Sequence, residues 1–176
     1  MSRYITTYTK VHIDPTNPDP KLINIEDIAH SLSMQCRANG HFSEYYTVAQ
    51  HCIDCANEAR ARGYNKRIQK ACLIHDAGEA YISDMPRPVK LELPKYIGIE
   101  ENLLKTIYIK FLGEDLNDEE RQIVSEIDDC LLYYEFKRFM GEELGDAPDI
   151  VCMPKFNIST PKKIEKEYIK VFKGLS

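Results

Sequence analysis

"NKRIQKACLIHDAGEAYISDMPRPVK", residues 65–90, is where an apolar helical pattern runs into a histidine and three carboxylates. At about 100° per residue, Ile68, Cys72, His75 and Glu79 fall on one stripe, with Asp76 at its edge. The two prolines of "DMPRPVK" cannot continue the hydrogen-bond ladder. The pattern therefore predicts one helix from about residue 65 to 82. A stripe that changes from isoleucine and cysteine to histidine and carboxylate within two turns aims polar groups inward. Groups of that kind need partners, because an unpaired charge in a dry interior shifts its pKa or costs several kcal/mol.

The same reading extends along the chain. "NIEDIAHSLSMQCR" starts at Asn24, a capping residue followed by acidic groups in the first turn. "SEYYTVAQHCIDCANEARARG" predicts a second helix, with Ser43 as N-cap and Gly63 as stop. Residues 97–112 read as a fourth helix and 117–140 as a long fifth that begins at the Asn117 cap. Residues 141–160 are loop-like, and "STPKKIEKEYIKVFKGL" closes the chain as a helix with Pro161 in its first turn. Before all of these, "YITTYTKVH" is β-branched and aromatic, which suits a short strand or ordered arm. The expectation is an all-α bundle of about six helices in one domain. An arm spans 1–23, a helical core 24–140, and a loop and helix 141–176.

A chain of 176 residues can bury about two thirds of its unfolded surface. Its 43% hydrophobic and 29% charged residues are those of an ordinary soluble globule, and no run reaches the roughly 18 apolar residues of a membrane span. The first residues lack a signal-peptide core, so the expected location is the cytoplasm, with no membrane partner. A net charge of −5 argues against stable binding to nucleic acid, whereas a small phosphorylated ligand is compatible with a metal and a few local cations. Six cysteines scattered through helix-like segments read as reduced, mostly buried thiols. Cys52 and Cys55 form a CxxC directly after His51. No second CxxC exists and no strand precedes this one, which weighs against redox or zinc-ribbon chemistry.

Three helices point polar groups inward. On the second, Val48, Cys52, Cys55 and Ala59 form the apolar stripe and His51 borders it. On the fifth, Ile123, Ile127, Cys130, Leu131 and Tyr134 define the buried face. Asp128 lies roughly 80° from the centre of that face and Asp129 roughly opposite it, so Asp128 can look inward and Asp129 belongs in solvent. Two histidines and two aspartates from three helices would satisfy one another around a divalent cation. Nitrogen and oxygen donors suit Mn, Fe, Co, Ni or Zn better than a soft metal. Plainer readings exist for each residue. His75–Asp76 could close a helix end, Glu79 could pair with Arg87 or Lys90, and Asp84 could begin a turn. Arg37 could neutralise the acidic first helix. His30 reads as a hydrogen-bonded core histidine.

The order His51, then His75–Asp76, then Asp128, each on a helix, resembles the HD-domain metal-dependent phosphohydrolases. "YTVAQHC" is similar to the first motif, "LIHDAGEAYISDMPRPVK" to the second and "EIDDCLL" to the last. The chain looks most like the small 5′-deoxynucleotidase branch and the phage dNTP phosphohydrolases. That resemblance implies one divalent metal ion held by His51, His75, Asp76 and Asp128, its identity open among Mn, Co, Fe, Ni, Zn and Mg. It implies that Glu79 and Asp84 are catalytic, assisting attack of water on phosphorus, and that Arg37 contacts the substrate phosphate. Ala38 stands where some relatives carry an aromatic against the base, so base preference is not implied. The implied activity is release of phosphate from deoxynucleoside monophosphates. Triphosphohydrolysis of dNTPs is the alternative, and a nucleotide-binding HD module without turnover is the rival of another class. Relatives in this branch associate, so a homo-oligomer is expected.

Overall fold

Side-chain caps set most of the helix starts. Asn24 accepts from the Asp27 amide ahead of α1 (Ile25–Met34), and Asn65 accepts from the Ile68 amide ahead of α3 (Lys66–Ile74). Reciprocal capping boxes, Thr47 with Gln50 and Asn117 with Glu120, open α2 (Val48–Ala61) and α7 (Asp118–Phe139). Proline in the first turn starts α6 (Pro94–Leu112) and α8 (Pro161–Gly174). In the computed structural model, which describes residues 3–175, these helices are joined by two one-turn segments, α4 (Glu79–Ile82) and α5 (Arg87–Lys90). The first two residues of the expected arm and the last residue of the chain lie outside the described residues. The described chain is all-α apart from a two-residue antiparallel pair, β1 (Ile5–Thr6) with β2 (His12–Ile13).

Three boundaries differ from the sequence reading. The second helix begins at Val48 rather than after Ser43. Residues just before it are held extended by Cys36 opposite Thr47, with the Arg37 amide donating to Tyr46 O and the Val48 amide to Gln35 O. The expected helix 65–82 breaks after Ile74. There the amides of Ala77, Glu79 and Tyr81 bond three residues back, to Ile74, Asp76 and Gly78. This tightening ends α3 and restarts the chain as α4. The fourth long helix starts at Pro94, three residues before the expected position.

The core gathers around α2 and α3, with α1, α6, α7 and α8 against them. Leu73, Ile74, Leu103, Ile107, Ile127 and Leu131 are fully buried. Each contributes on the order of 1.5–3 kcal/mol of burial. Tyr168 of α8 is buried too, and its hydroxyl donates to Leu73 O at 2.6 Å. Phe42, Tyr46 and Phe139 form a smaller aromatic cluster. The arm is tied down by Thr9, whose amide and hydroxyl donate to the Asp27 carboxylate at 2.7 and 2.9 Å. Among the described residues no helix is long and apolar enough to cross a membrane.

Candidate metal centre

α2, the end of α3 and the middle of α7 bring His51, His75, Asp76 and Asp128 to one point. His51 Nε2 lies 3.2 Å from His75 Nε2 and 2.9 Å from Asp128 Oδ1. His75 Nε2 lies 3.3 Å from Asp76 Oδ1 and 3.6 Å from Asp128 Oδ1. Asp76 Oδ2 is 3.9 Å from His51 Nε2, is buried, and has no hydrogen-bond partner among the described residues. The phase argument for α7 matches this geometry: Asp129 is exposed and meets only Arg87, at 3.3 Å.

The outer ring nitrogens decide what the centre needs. His75 Nδ1 donates to Cys72 O at 2.7 Å, and His51 Nδ1 donates to Glu135 Oε1 at 2.6 Å. The Cys72 carbonyl can only accept, so His75 carries a proton on Nδ1, and the short contact to Glu135 assigns His51 the same tautomer. The two Nε2 atoms and the aspartate oxygens then face one another with lone pairs only. Protonating both rings would instead set two N–H groups head to head at 3.2 Å. A single cation placed among the four side chains would remove both conflicts.

The electrostatics carry the same demand for positive charge. Burial and the Arg37 guanidinium oppose a charged His51, but Cys55, Glu135 and Asp128 outweigh them and hold its pKa well above the usual imidazole value. Burial likewise opposes charge on His75, where Asp76, Cys52 and Asp128 prevail. Asp128 is held well below the ordinary carboxylate value, because the two imidazoles overcome its burial. The CxxC thiols set aside in the sequence lie beside this cluster. Cys55 with the two histidines, and Cys52 with His75 and Asp76, are each close enough to share an ion. Burial pushes the Cys52 thiol up to about 11, so without a metal it stays protonated. Cys55 Sγ lies 3.5 Å from His51 Nε2 and 4.0 Å from Nδ1.

Asp76 and Asp128 form part of the floor of a cavity of about 600 Å³, whose wall also includes Arg37, Glu79 and Asp84. Phe42, Leu132, Phe136 and Met140 line its apolar side, and His41 reaches it as well. Glu79 is buried with Oε2 unpartnered, and burial, then Asp76 and Asp84, raise its pKa well above the usual carboxylate value. Burial also raises Asp84, against the pull of Arg37. The plainer pairings for these residues do not occur: Lys90 meets Glu100 at 2.8 Å and Arg87 meets Asp129. Arg37 does not reach the acids of α1. Its Nε and one terminal nitrogen donate to Glu135 Oε2, each at 3.3 Å, and its other terminal nitrogen lies 3.6 Å from Asp76 Oδ2. His30 is structural, stacked on Tyr8 and 3.0 Å from Glu165.

Two residues escaped the sequence reading. Glu135 is fully buried between His51 and Arg37. The available signal was its position seven residues after Asp128, two turns along the same face. Gln35 is the other. Its amide donates to Glu79 O at 3.1 Å and its carbonyl accepts from the Asp84 amide at 3.3 Å, so it clamps both ends of α4. Between them Ser83 adopts φ 72°, and Tyr96 holds its carbonyl at 2.8 Å.

No family model matches the chain. It is 39% identical over 110 residues to the uncharacterized protein YfdR of Escherichia coli K12, covering 61% of this chain and 58% of that protein. It is 37% identical over 105 residues to an uncharacterized protein of Rhodobacter capsulatus, covering 56% and 53%. The matches thus span little more than half the length of each relative.

Proposed function

We propose that the chain is an HD-domain metal-dependent phosphohydrolase that releases phosphate from deoxynucleoside monophosphates. One observation carries this reading: four acceptor side chains from three helices crowd to a point under a cavity that also holds Arg37, Glu79 and Asp84. The donor set fits a divalent cation of the Mn, Fe, Co, Ni or Zn type, held by His51, His75, Asp76 and Asp128. Such a cation supplies a Lewis acid that polarises a phosphoryl oxygen and acidifies water. Arg37, fixed by Glu135 and Asp76, binds the phosphate and offsets its charge. Glu79 and Asp84 share the proton traffic. Both keep a proton to higher pH than ordinary carboxyls, which suits a pair that must take one from attacking water and give one to the leaving oxygen. The choice of deoxynucleotide comes from the resemblance of the motifs.

The test is to incubate metal-loaded protein with deoxynucleoside mono- and triphosphates and identify the products by chromatography. Deoxynucleoside plus phosphate from the monophosphates is the expected result. Deoxynucleoside plus tripolyphosphate from dNTPs would move the assignment to triphosphohydrolase. Intact nucleotides with measurable binding would leave a binding module.

A further inference from the structure

We infer that Glu135 is a positioning residue that holds the metal-facing histidine His51 and the phosphate-facing Arg37 through the two oxygens of one carboxylate. The inference rests on the hydrolase reading and adds a residue that no motif supplies. Glu135 is completely buried, as is His51, so neither can exchange its partner for water. Oε1 accepts from His51 Nδ1 at 2.6 Å, and Oε2 accepts from Arg37 Nε and a terminal nitrogen at 3.3 Å. The first contact fixes the His51 tautomer with Nε2 free toward Asp128, and a carboxylate in that role raises the basicity of the ring. The second fixes the guanidinium plane. With Glu135 gone, Arg37 keeps the Asp76 carboxylate, at 3.6 Å, and His51 Nδ1 keeps only the long contact to Cys55 Sγ, at 4.0 Å. One side chain would therefore set the spacing between a metal held by His51 and the Arg37 guanidinium, and α7 supplies it together with Asp128.

Glu135→Gln keeps the volume but loses the charge, and its amide can satisfy only one of the two partners. Isothermal titration with Mn²⁺ should show affinity lowered about 10- to 100-fold, the usual scale for a group that orients a metal-binding histidine. Inorganic phosphate should bind the metal-saturated variant at least about tenfold more weakly than it binds wild type, the scale of a lost charge-assisted contact. In turnover, KM should rise by more than kcat falls at saturating metal. Loss of metal and phosphate affinity without any nucleotide hydrolysis in wild type would uphold the positioning role and sink the hydrolase reading. Wild-type affinity for both Mn²⁺ and phosphate in a folded Glu135→Gln would overturn the inference. Should that variant not fold, histidine ¹⁵N NMR of the wild-type protein decides. A strongly deshielded His51 Hδ1 on a protonated Nδ1 is expected, and a protonated Nε2 with a bare Nδ1 would refute it.

Discussion

Replacing Asp128 and Asp129 one at a time separates two adjacent, chemically identical residues by helix phase alone. Asp128 Oδ1 sits 2.9 and 3.6 Å from the two Nε2 atoms. Its loss removes one of the four proposed ligands and one negative charge from a buried cluster. A group that merely orients a ligand is worth about 10- to 100-fold in metal affinity, so Asp128→Ala should lose more than about 100-fold, or roughly 2.8 kcal/mol. Asp129 offers only an exposed pair with Arg87 at 3.3 Å, the two side chains 57% and 68% exposed. A pair of that kind contributes about 0–1 kcal/mol, which in a chain of this size moves Tm by no more than about 4 °C. Its metal affinity should stay within about twofold, because solvent and salt screen a charge on the outer face. Titration calorimetry with Mn²⁺ and thermal melts of the metal-free proteins measure both quantities. Equal losses of affinity in two folded variants, or an Asp128→Ala protein that binds Mn²⁺ like wild type, would refute the phase argument and the four-ligand set together.

Three further outcomes follow from the geometry. Glu79→Gln and Asp84→Asn should keep metal and fold but lose hydrolysis by about 100-fold or more, the scale of a general acid–base group; near-wild-type kcat in both would make them structural. Metal affinity should fall as pH falls, because His51 and His75 have raised pKa values and must surrender any Nε2 proton to a cation. Calorimetry in buffers of different ionisation enthalpy should show proton release, and pH-independent binding between about pH 6 and 8 would contradict it. Asp54 accepts from the Tyr46 hydroxyl at 2.7 Å, and burial raises its carboxyl from 3.8 to about 6. The folded state therefore binds that proton more tightly than the unfolded chain, a stabilisation present in full below the unfolded value and lost as pH rises through the folded one. Asp54→Asn should be more stable than wild type above pH 6 by about 1–3 kcal/mol, allowing for solvent access, and the two should converge near pH 4. Parallel denaturation curves across that range would show the Asp54 carboxyl to be unshifted.

Helix identity was legible because capping is local. Asn24, Asn65 and Asn117 each sit just before the helix they cap, and none needs a distant partner to be recognised. The break after Ile74 was not legible. Its helical spacing continues through His75 and Glu79 toward Ile82, and the stop arises from three-residue hydrogen bonds, which periodicity cannot distinguish from a further α turn. The start of α2 was misplaced for a related reason: Thr47 is chosen over Ser43 by pairing with Cys36, which is eleven residues away. Phase on three helices did bring His51, His75, Asp76 and Asp128 together. Glu135 stayed hidden within "YYEFKRF", where a glutamate among aromatic and basic residues looks like a solvated side chain. Only contact with two other elements shows what it touches.

The distribution of unresolved polar groups supports a working site rather than a structural one. Elsewhere among the described residues most buried polar side-chain atoms have partners. Glu58, fully buried, accepts from Arg62 and from the amides of Val151 and Cys152, and the Tyr168 hydroxyl finds Leu73 O. Around the cavity the opposite holds. Among the described residues, Asp76 Oδ2 and Glu79 Oε2 are buried there without partners, whereas the Tyr81 hydroxyl, also unpartnered, lines a separate pocket beside Asp27. Ser83, immediately before Asp84, is held at φ 72°, a conformation that costs a non-glycine residue about 1–3 kcal/mol. Two imidazole nitrogens approach to 3.2 Å with carboxylates around them. A helix end closed by salt bridges would relax each of these, since Arg87 and Lys90 stand nearby. Both cations also line the cavity but are paired with Asp129 and Glu100, so neither forms an ion pair with its carboxyls. Two buried carboxylate oxygens without partners and two crowded imidazoles on one surface are what a site prepared for a cation and an anionic substrate requires.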